Sequence, residues 1–157
     1  MATKTQTTEH VDRTGNAAKM TDEEVAAARE RARELKAQSR RKGGDERKLG
    51  EQDVLAKIRE MPDADRVLAE RIHALVTETA PSLVPRTYYG MPAYAKDGKV
   101  LCFFQPASKF KVRYATLGFE TISNLDDGAM WPTAWAVTKL GAAEEARIVD
   151  LVKKAVG

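Results

Sequence analysis

The chain has 157 residues, of which 43% are hydrophobic, and a formal net charge of +3; this predicts one ordinary domain with its own hydrophobic core. Its single cysteine, Cys102, excludes an internal disulfide framework and is typical of a reducing compartment. Because the sequence has neither an apolar run of about 18–20 residues nor a secretory signal pattern, we expect a cytoplasmic protein that does not enter a membrane.

The first part of the chain differs in composition from the rest. Residues 1–48 contain 12 Lys and Arg against 9 Asp and Glu, whereas residues 49–157 contain 14 of each, so the excess positive charge belongs to the N-terminal part. All ten Phe, Tyr and Trp lie in the second part, and a segment without aromatic residues contributes little to a core. We therefore predict a basic, partly helical or disordered extension at 1–49 and an α+β domain at 50–157.

Within the extension, residues 1–20 are polar and aperiodic, which predicts disorder. The sequence Thr-Asp-Glu-Glu at 21–24 is a capping box, and the Ala-, Arg- and Glu-rich residues that follow predict a helix to about Arg41. The apolar stripe of this helix is thin, so packing would stabilise it little. The paired glycines and the charges of residues 42–50 predict a flexible linker.

Four cations of the extension are spaced to form one stripe on a helix. They are Arg29, Arg33, Lys36 and Arg40, at i, i+4, i+7 and i+11. Such a stripe could neutralise several phosphates, and without an aromatic residue to stack on a base the binding would be independent of sequence. An accessory nucleic-acid-binding role is therefore one alternative function, and a solvated extension without a partner is the other interpretation.

Three helices are predicted in the domain. A short helix with Val54, Leu55 and Ile58 on one face is predicted to end at Pro62, and Asp63 is expected to cap the next helix. A last amphipathic helix is predicted near the C-terminus, at about 142–156. The buried faces are predicted to consist of Leu68, Ile72, Leu75, Val76 and Thr79 in the second helix, and of Ile148, Leu151, Val152 and Ala155 in the last.

Between these helices the hydrophobic period changes from 3.6 to 2. Asp97-Gly98 supplies the two residues with positive φ that a type I′ hairpin turn needs. Residues 110–115 alternate in polarity and predict a strand, and residues 133–138 predict another. The order of helices, strands and helix predicts an α+β fold: an antiparallel sheet of about four or more strands, with the N- and C-terminal helices on one face.

The strand after the hairpin has apolar residues on both faces. Cys102 and Phe104 are predicted to face the helices, whereas Leu101 and Phe103 are predicted to face the open side of the sheet. An apolar patch on that side would suit a ligand or a partner protein. Alternatively, loops such as 118–132 could fold over it.

The predicted strand at 110–115 would place Lys111 and Arg113 on the same open face. An apolar patch with cations at its rim suits an anionic or amphipathic ligand. The two tyrosines before the Gly-Met-Pro turn could add hydroxyl groups to that rim, and a packed tyrosine pair is the structural alternative. The candidate ligand-binding residues are therefore Tyr88, Tyr89, Met91, Phe103, Lys111, Arg113 and Trp131.

Catalytic chemistry has little support in the sequence. His73 lies at the flank of an apolar helical stripe and is expected to be exposed or at an edge. Cys102 is expected to be buried, with a raised pKa and an unreactive thiol. Phosphate-binding loops, nucleophile elbows and zinc motifs are absent from the sequence. We therefore predict a small non-catalytic binding protein.

The sequence Tyr-Gly-Met-Pro-Ala-Tyr at 89–94, the hairpin after it, Phe-Lys-Val-Arg-Tyr at 110–114 and the closing helix resemble the YdhG-like family. The resemblance covers about residues 50–157. It implies a compact helix–sheet–helix fold and a frataxin-like iron-chaperone role, so iron, or another small ligand, is the expected cargo.

Iron chaperones of that kind hold the ion on carboxylate oxygens, which suit a hard and exchangeable cation. The metal-ligand candidates in this sequence are Asp126 and Asp127, a carboxylate pair before Gly128, and Glu144 at the start of the last helix. A solvated turn is the alternative interpretation of the aspartate pair.

Overall fold

The computed structural model describes residues 9–11, 17–41 and 44–157. Two short strands, β1 (Glu9–Val11) and β2 (Ala17–Lys19), pair antiparallel within the stretch that was predicted to be disordered; the remainder of that prediction lies outside the described residues. The other elements are α1 (Asp22–Gln38), α2 (Gly44–Glu60), α3 (Asp63–Thr79), β3 (Val84–Tyr88), β4 (Met91–Lys96), β5 (Lys99–Gln105), β6 (Ala115–Phe119), β7 (Ala134–Val137) and α4 (Ala142–Val156).

The main sheet has five strands in the order β3-β4-β5-β6-β7, each antiparallel to its neighbours. The predicted α+β fold is therefore confirmed. None of the described helices is both long and apolar enough to cross a bilayer. The core lies between the sheet and the helices α2, α3 and α4; its largest fully buried members are Tyr94, Phe104, Ile58, Ile72, Leu101, Leu117, Val54, Val76 and Val152.

The helical periodicity predicts α3 and α4 well, because their inward residues pack on the sheet. Thr79 and Leu151 are half-buried. The predicted cap of α3 is wrong: Pro62 is the N-cap residue and Asp63 is the first helical residue. The Asp63 carboxylate instead accepts a hydrogen bond from Arg66 at 2.7 Å, one turn along the same helix.

The predicted type I′ hairpin joins β4 to β5, with φ of 50° at Asp97 and 79° at Gly98. The strands then contain a bulge, because Ala95 pairs with Val100 whereas Tyr94 pairs with Cys102. Leu101 is the extra residue, and a bulge interrupts the strict alternation of a strand. Leu101 is therefore buried in the core beside Cys102, and its predicted position on the open face is wrong.

The predicted linker at 42–50 is wrong over 44–50, because α2 already begins at Gly44 and packs on β3; residues 42 and 43 lie outside the described residues. Three arginines attach α2 to its surroundings. Arg41 pairs with Asp53 at 2.5 Å, Arg47 donates to the Leu83 carbonyl at 3.0 Å, and Arg86 pairs with Glu46 at 3.0 Å. Residues 44–60 form one helix, so the expected boundary between extension and domain, at 49 and 50, falls inside α2.

The strand predicted at 110–115 is a loop, and β6 starts only at Ala115. A local turn forms instead: the Val112 N–H donates to the Ala107 carbonyl at 3.0 Å, and Lys111 has a φ of 51°. The Asp65 carboxylate fixes this loop by accepting the N–H groups of Ala107 and Ser108, both at 3.1 Å. Lys111 and Arg113 therefore do not lie on a strand face.

Candidate functional site

The turn between β3 and β4 is the centre of the candidate site. It consists of Tyr89 with φ of 53° and Gly90 with φ of 75°, a two-residue loop of the type I′ kind. A bulky residue at positive φ is uncommon, because its Cβ crowds the backbone. The Tyr89 ring lies edge-on to the Tyr88 ring, with 4.7 Å between the two centroids.

Helix α1 docks on this turn through polar groups. The Glu34 carboxylate accepts the N–H of Tyr89 at 2.8 Å and the N–H of Gly90 at 2.5 Å. The Gln38 amide donates to the Thr87 carbonyl at 3.0 Å. The Arg31 guanidinium lies 4.8 Å from the centroid of the Tyr88 ring, within the range of a cation–π contact.

A cavity of about 480 Å³ lies between the first half of α1 and the turn. Its volume falls in the usual range for small-molecule sites. Its polar lining consists of Thr21 and Glu24, which are used in the capping box of α1, and Lys19. Most of the wall is apolar, from Met20, Ala27, Ala28, Tyr89, Met91 and Phe110.

Of the predicted ligand residues, Tyr89 and Met91 line this cavity. Tyr88 and Phe103 do not line it; their rings pack on each other, with centroids 5.7 Å apart. The Phe103 ring covers Gly118 on the neighbouring strand, where a Cβ would come within 2.3 Å of the ring. These aromatic rings therefore cover part of the open sheet face themselves.

The Tyr88 hydroxyl donates to Glu120 at 3.1 Å. Partial burial, together with the Glu120 carboxylate, raises the pKa of Tyr88 to about 12. Tyr88 is therefore a neutral hydrogen-bond donor at ordinary pH, not a general base.

The remaining predicted ligand residues do not join the cavity. Lys111 is paired with Glu23 of α1 at 2.6 Å, and that hydrogen bond raises the pKa of Lys111. Arg113 lies 5.1 Å from the centroid of the Tyr114 ring. Trp131 packs against the core and lines a different cavity, of about 400 Å³, near Phe119.

None of the residues named as metal-ligand candidates lines the cavity at the turn. Asp126 and Asp127 are exposed in the loop between β6 and β7. The Glu144 carboxylate accepts the Gly141 N–H at 3.1 Å and so caps α4. Within residues 9–11, 17–41 and 44–157, no group of three or more His, Cys, Asp or Glu is placed to hold a metal.

His73 is buried, contrary to the expected exposed or edge position. Its Nδ1 lies 2.9 Å from the Tyr94 hydroxyl and its Nε2 lies 3.0 Å from Glu51. Burial raises the pKa of Tyr94 well above its usual value, so its hydroxyl keeps its proton. A carboxylate only accepts hydrogen bonds, so Nε2–H donates to Glu51. Both partners are far from His73 in the chain, which is why helical periodicity alone did not reveal this network.

Cys102 is fully buried, and burial raises the pKa of its thiol to about 12. The expected raised pKa is therefore confirmed, and the thiol stays protonated at ordinary pH. The residue belongs to the core and not to the cavity at the turn.

The four cations of the alternative nucleic-acid site are exposed: Arg29, Arg33 and Lys36 on α1, and Arg40 just beyond its end. Glu30 and Glu34 of the same helix contact the sheet side instead. Sequence reasoning did not single out these two glutamates, although their i, i+4 spacing places them on one face.

No protein-family model, no curated protein and no solved structure matches this chain. Membership in the YdhG-like family therefore stays a prediction, based on the Tyr-Gly-Met-Pro motif. The geometry of the turn and of the cavity beside it is what bears on function.

Proposed function

We propose that the protein is a non-catalytic binding protein that holds a small, largely apolar ligand in the cavity between α1 and the β3–β4 turn. The observation that carries this proposal is the cavity itself, whose apolar wall includes two of the residues predicted from sequence, Tyr89 and Met91. A concave, mostly apolar site with few polar groups is the usual form of a small-molecule site.

The polar groups at the cavity favour binding over catalysis. Thr21 and Glu24 satisfy each other's backbone through the capping box, with hydrogen bonds of 3.1 Å and 2.8 Å. A nucleophile needs a base within hydrogen-bond reach. The buried His73 is bonded to Tyr94 and Glu51 instead.

A neutral fluorescent probe, N-phenyl-1-naphthylamine, tests the proposal without involving charge. Ala28 lines the cavity and Ala26 does not, although both are exposed residues of α1. Ala28→Phe fills the cavity and should weaken probe binding at least tenfold, whereas the matched control Ala26→Phe should bind like the wild type. Equal binding by both variants and the wild type would refute this site.

The alternative function, sequence-independent binding of nucleic acid, is favoured by one observation: all four cations of the predicted stripe are exposed. Removing the extension is a poor test, because α1 packs on the sheet. A better test replaces the stripe with glutamine and compares it with a control that replaces Lys139, Arg147, Lys153 and Lys154.

Binding to a short DNA duplex would then be measured as a function of salt. If the stripe contacts the phosphates, its four substitutions should reduce the slope of log K against log salt by about 3 to 4, since each contact contributes about 0.9. An equal loss in the control would show that only net charge matters, and that outcome rejects the stripe as a site.

A further inference from the structure

Two carboxylates of α1 converge on the β3–β4 turn. We propose that the turn and the lysines beside it form an anion-binding site, which Glu34 and Glu30 occupy as an internal ligand. Its external ligand would be a small molecule with two neighbouring oxyanion groups, such as a diphosphate. Tyr89 belongs to both this site, through its N–H, and the apolar cavity, but the site does not depend on the function proposed for that cavity.

The first half of the site is made of backbone. The consecutive N–H groups of Tyr89 and Gly90 both donate to Glu34, at 2.8 Å and 2.5 Å. Successive N–H groups in a tight turn form a concavity that binds anions. The positive φ of both residues belongs to the turn, so these donors remain in place when the carboxylate leaves.

The second half of the site contains two lysines, Lys57 and Lys109, of which Lys57 also pairs with Glu60 at 3.5 Å. Glu30 accepts from the Lys109 Nζ at 3.0 Å and lies 4.0 Å from the Lys57 Nζ. Gly90 makes room for it, because a Cβ there would come within 1.8 Å of the Glu30 carboxylate and 2.7 Å of the Lys109 Nζ. Lys57, Gly90 and Lys109 also line a cavity of about 340 Å³, so the turn is open on this side.

An external anion could take the place of the glutamate contacts that attach α1 to the turn. All residues of α1 are described, and only Ala27 among them is buried. Glu30 and Glu34 are like charges one turn apart, which by itself destabilises a helix. The Oε2 of Glu30 is buried without a hydrogen-bond partner in the described part of the chain, and burying an unpaired acceptor is unfavourable.

Displacement of α1 would also affect the apolar cavity, because Ala27 and Ala28 form part of its wall. A diphosphate at the turn and an apolar ligand in the cavity would therefore weaken each other's binding, although Tyr89 alone belongs to both sites. Such coupling is reciprocal by thermodynamic necessity.

The test uses the full chain, with inorganic pyrophosphate as the probe and titration calorimetry as the measurement. Glu30→Gln with Glu34→Gln weakens the internal competitor, so pyrophosphate should bind at least tenfold more tightly than to the wild type. A control with the same charge change at exposed positions on other helices, Glu78→Gln with Asp150→Asn, should raise the affinity by less than twofold. Adding Lys109→Ala to the double glutamine variant should abolish the gain.

Hydrogen exchange of the wild type gives a second readout that needs no variant. Saturating pyrophosphate should speed the exchange of the α1 amides at least fivefold, whereas sodium chloride of equal ionic strength should not. The proposal is overturned if the double variant binds pyrophosphate no more tightly than the charge control does. It is also overturned if pyrophosphate leaves the exchange of the α1 amides unchanged. Failure of the neutral probe to bind would reject the apolar cavity alone, because pyrophosphate would be held by the N–H groups of Tyr89 and Gly90 and by the lysines, not by the apolar side chains of the cavity.

Discussion

Helices α3 and α1 are both 17 residues long, yet they are attached to the sheet in different ways. Helix α3 buries seven residues, including Ile72 with 0% exposure, whereas α1 buries Ala27 alone. The contacts of α1 with the rest of the protein are mainly polar: Glu34 accepts two turn N–H groups, Gln38 donates to a carbonyl, Arg31 lies over the Tyr88 ring, and a few ion pairs form. Apolar burial makes α3 part of the cooperative core, whereas the polar contacts of α1 allow local release.

The largest effect on stability should come from a substitution in α3, the helix that packs in the core. Ile72→Ala removes a fully buried side chain, which should cost about 2–5 kcal/mol of unfolding free energy through lost burial and the remaining cavity. Val67 on the same helix is 62% exposed, so Val67→Ala should change the unfolding free energy by no more than about 0.5 kcal/mol. Urea denaturation measures both free energies. Similar losses in the two variants would contradict the description of Ile72 as a core residue and Val67 as a surface residue.

Two glycines of α2 show whether that helix belongs with the core. A Cβ on Gly50 would come within 2.0 Å of the Pro85 carbonyl oxygen, whereas a Cβ on Gly44 has nothing within 4 Å. Gly50→Ala should therefore destabilise the protein by about 1–3 kcal/mol through overpacking, and Gly44→Ala should be neutral or stabilising by up to about 1 kcal/mol. A harmless Gly50→Ala would mean that α2 does not pack this closely on β3 in solution.

The pH dependence should report on the core thiol. In the folded protein, burial raises the pKa of Cys102 from 9.0 to about 12. Between these values the unfolded chain releases a proton that the folded chain keeps, so stability present below pH 9 is lost as pH rises. The slope due to this thiol should approach about 1.4 kcal/mol per pH unit.

Tyr88 adds to the same loss, but only above its usual pKa of 10.0. Denaturation between pH 8 and 11 should therefore show a decline that Cys102→Ala makes shallower from pH 9 upward. The same slope in Cys102→Ala and in the wild type would show that the thiol is not buried as described.

The smallest effect should be on α1, and it should be local. Gln38→Ala removes the hydrogen bond to the Thr87 carbonyl, worth about 1 kcal/mol, so the α1 amides should exchange about fivefold faster. Lys36→Ala, at an exposed position of the same helix, controls for helix propensity. The midpoint of global unfolding should not change in either variant. A changed midpoint in Gln38→Ala would show that α1 unfolds together with the core, contrary to this prediction.

The parts of the fold that depend on local pattern could be predicted from the sequence. The apolar spacing of α3 and the Asp97-Gly98 turn are examples, because both signals lie within a few residues. The wrong predictions concern segments whose conformation depends on residues far away in the sequence. Asp65 holds the loop that contains Lys111, and a bulge sends Leu101 into the core.

The candidate site could be predicted only in its aromatic half. Tyr89 and Met91 were identified by their crowding near a turn, and both line the cavity. Glu30 and Glu34 approach Gly90 across more than fifty residues of sequence, and a single sequence contains no signal of that contact. The same limit explains why His73 was expected at an edge instead of beside Tyr94.

The left-handed backbone conformation of Tyr89 lowers the stability of the turn, although the tyrosine ring serves ligand recognition in the proposed site. Glycine or asparagine adopts this conformation more readily than tyrosine, by about 1–2 kcal/mol. A library screened for heat resistance alone should therefore discard the tyrosine. A library screened for ligand retention should keep it, and divergent outcomes of the two screens would identify the ring as the functional part of the turn.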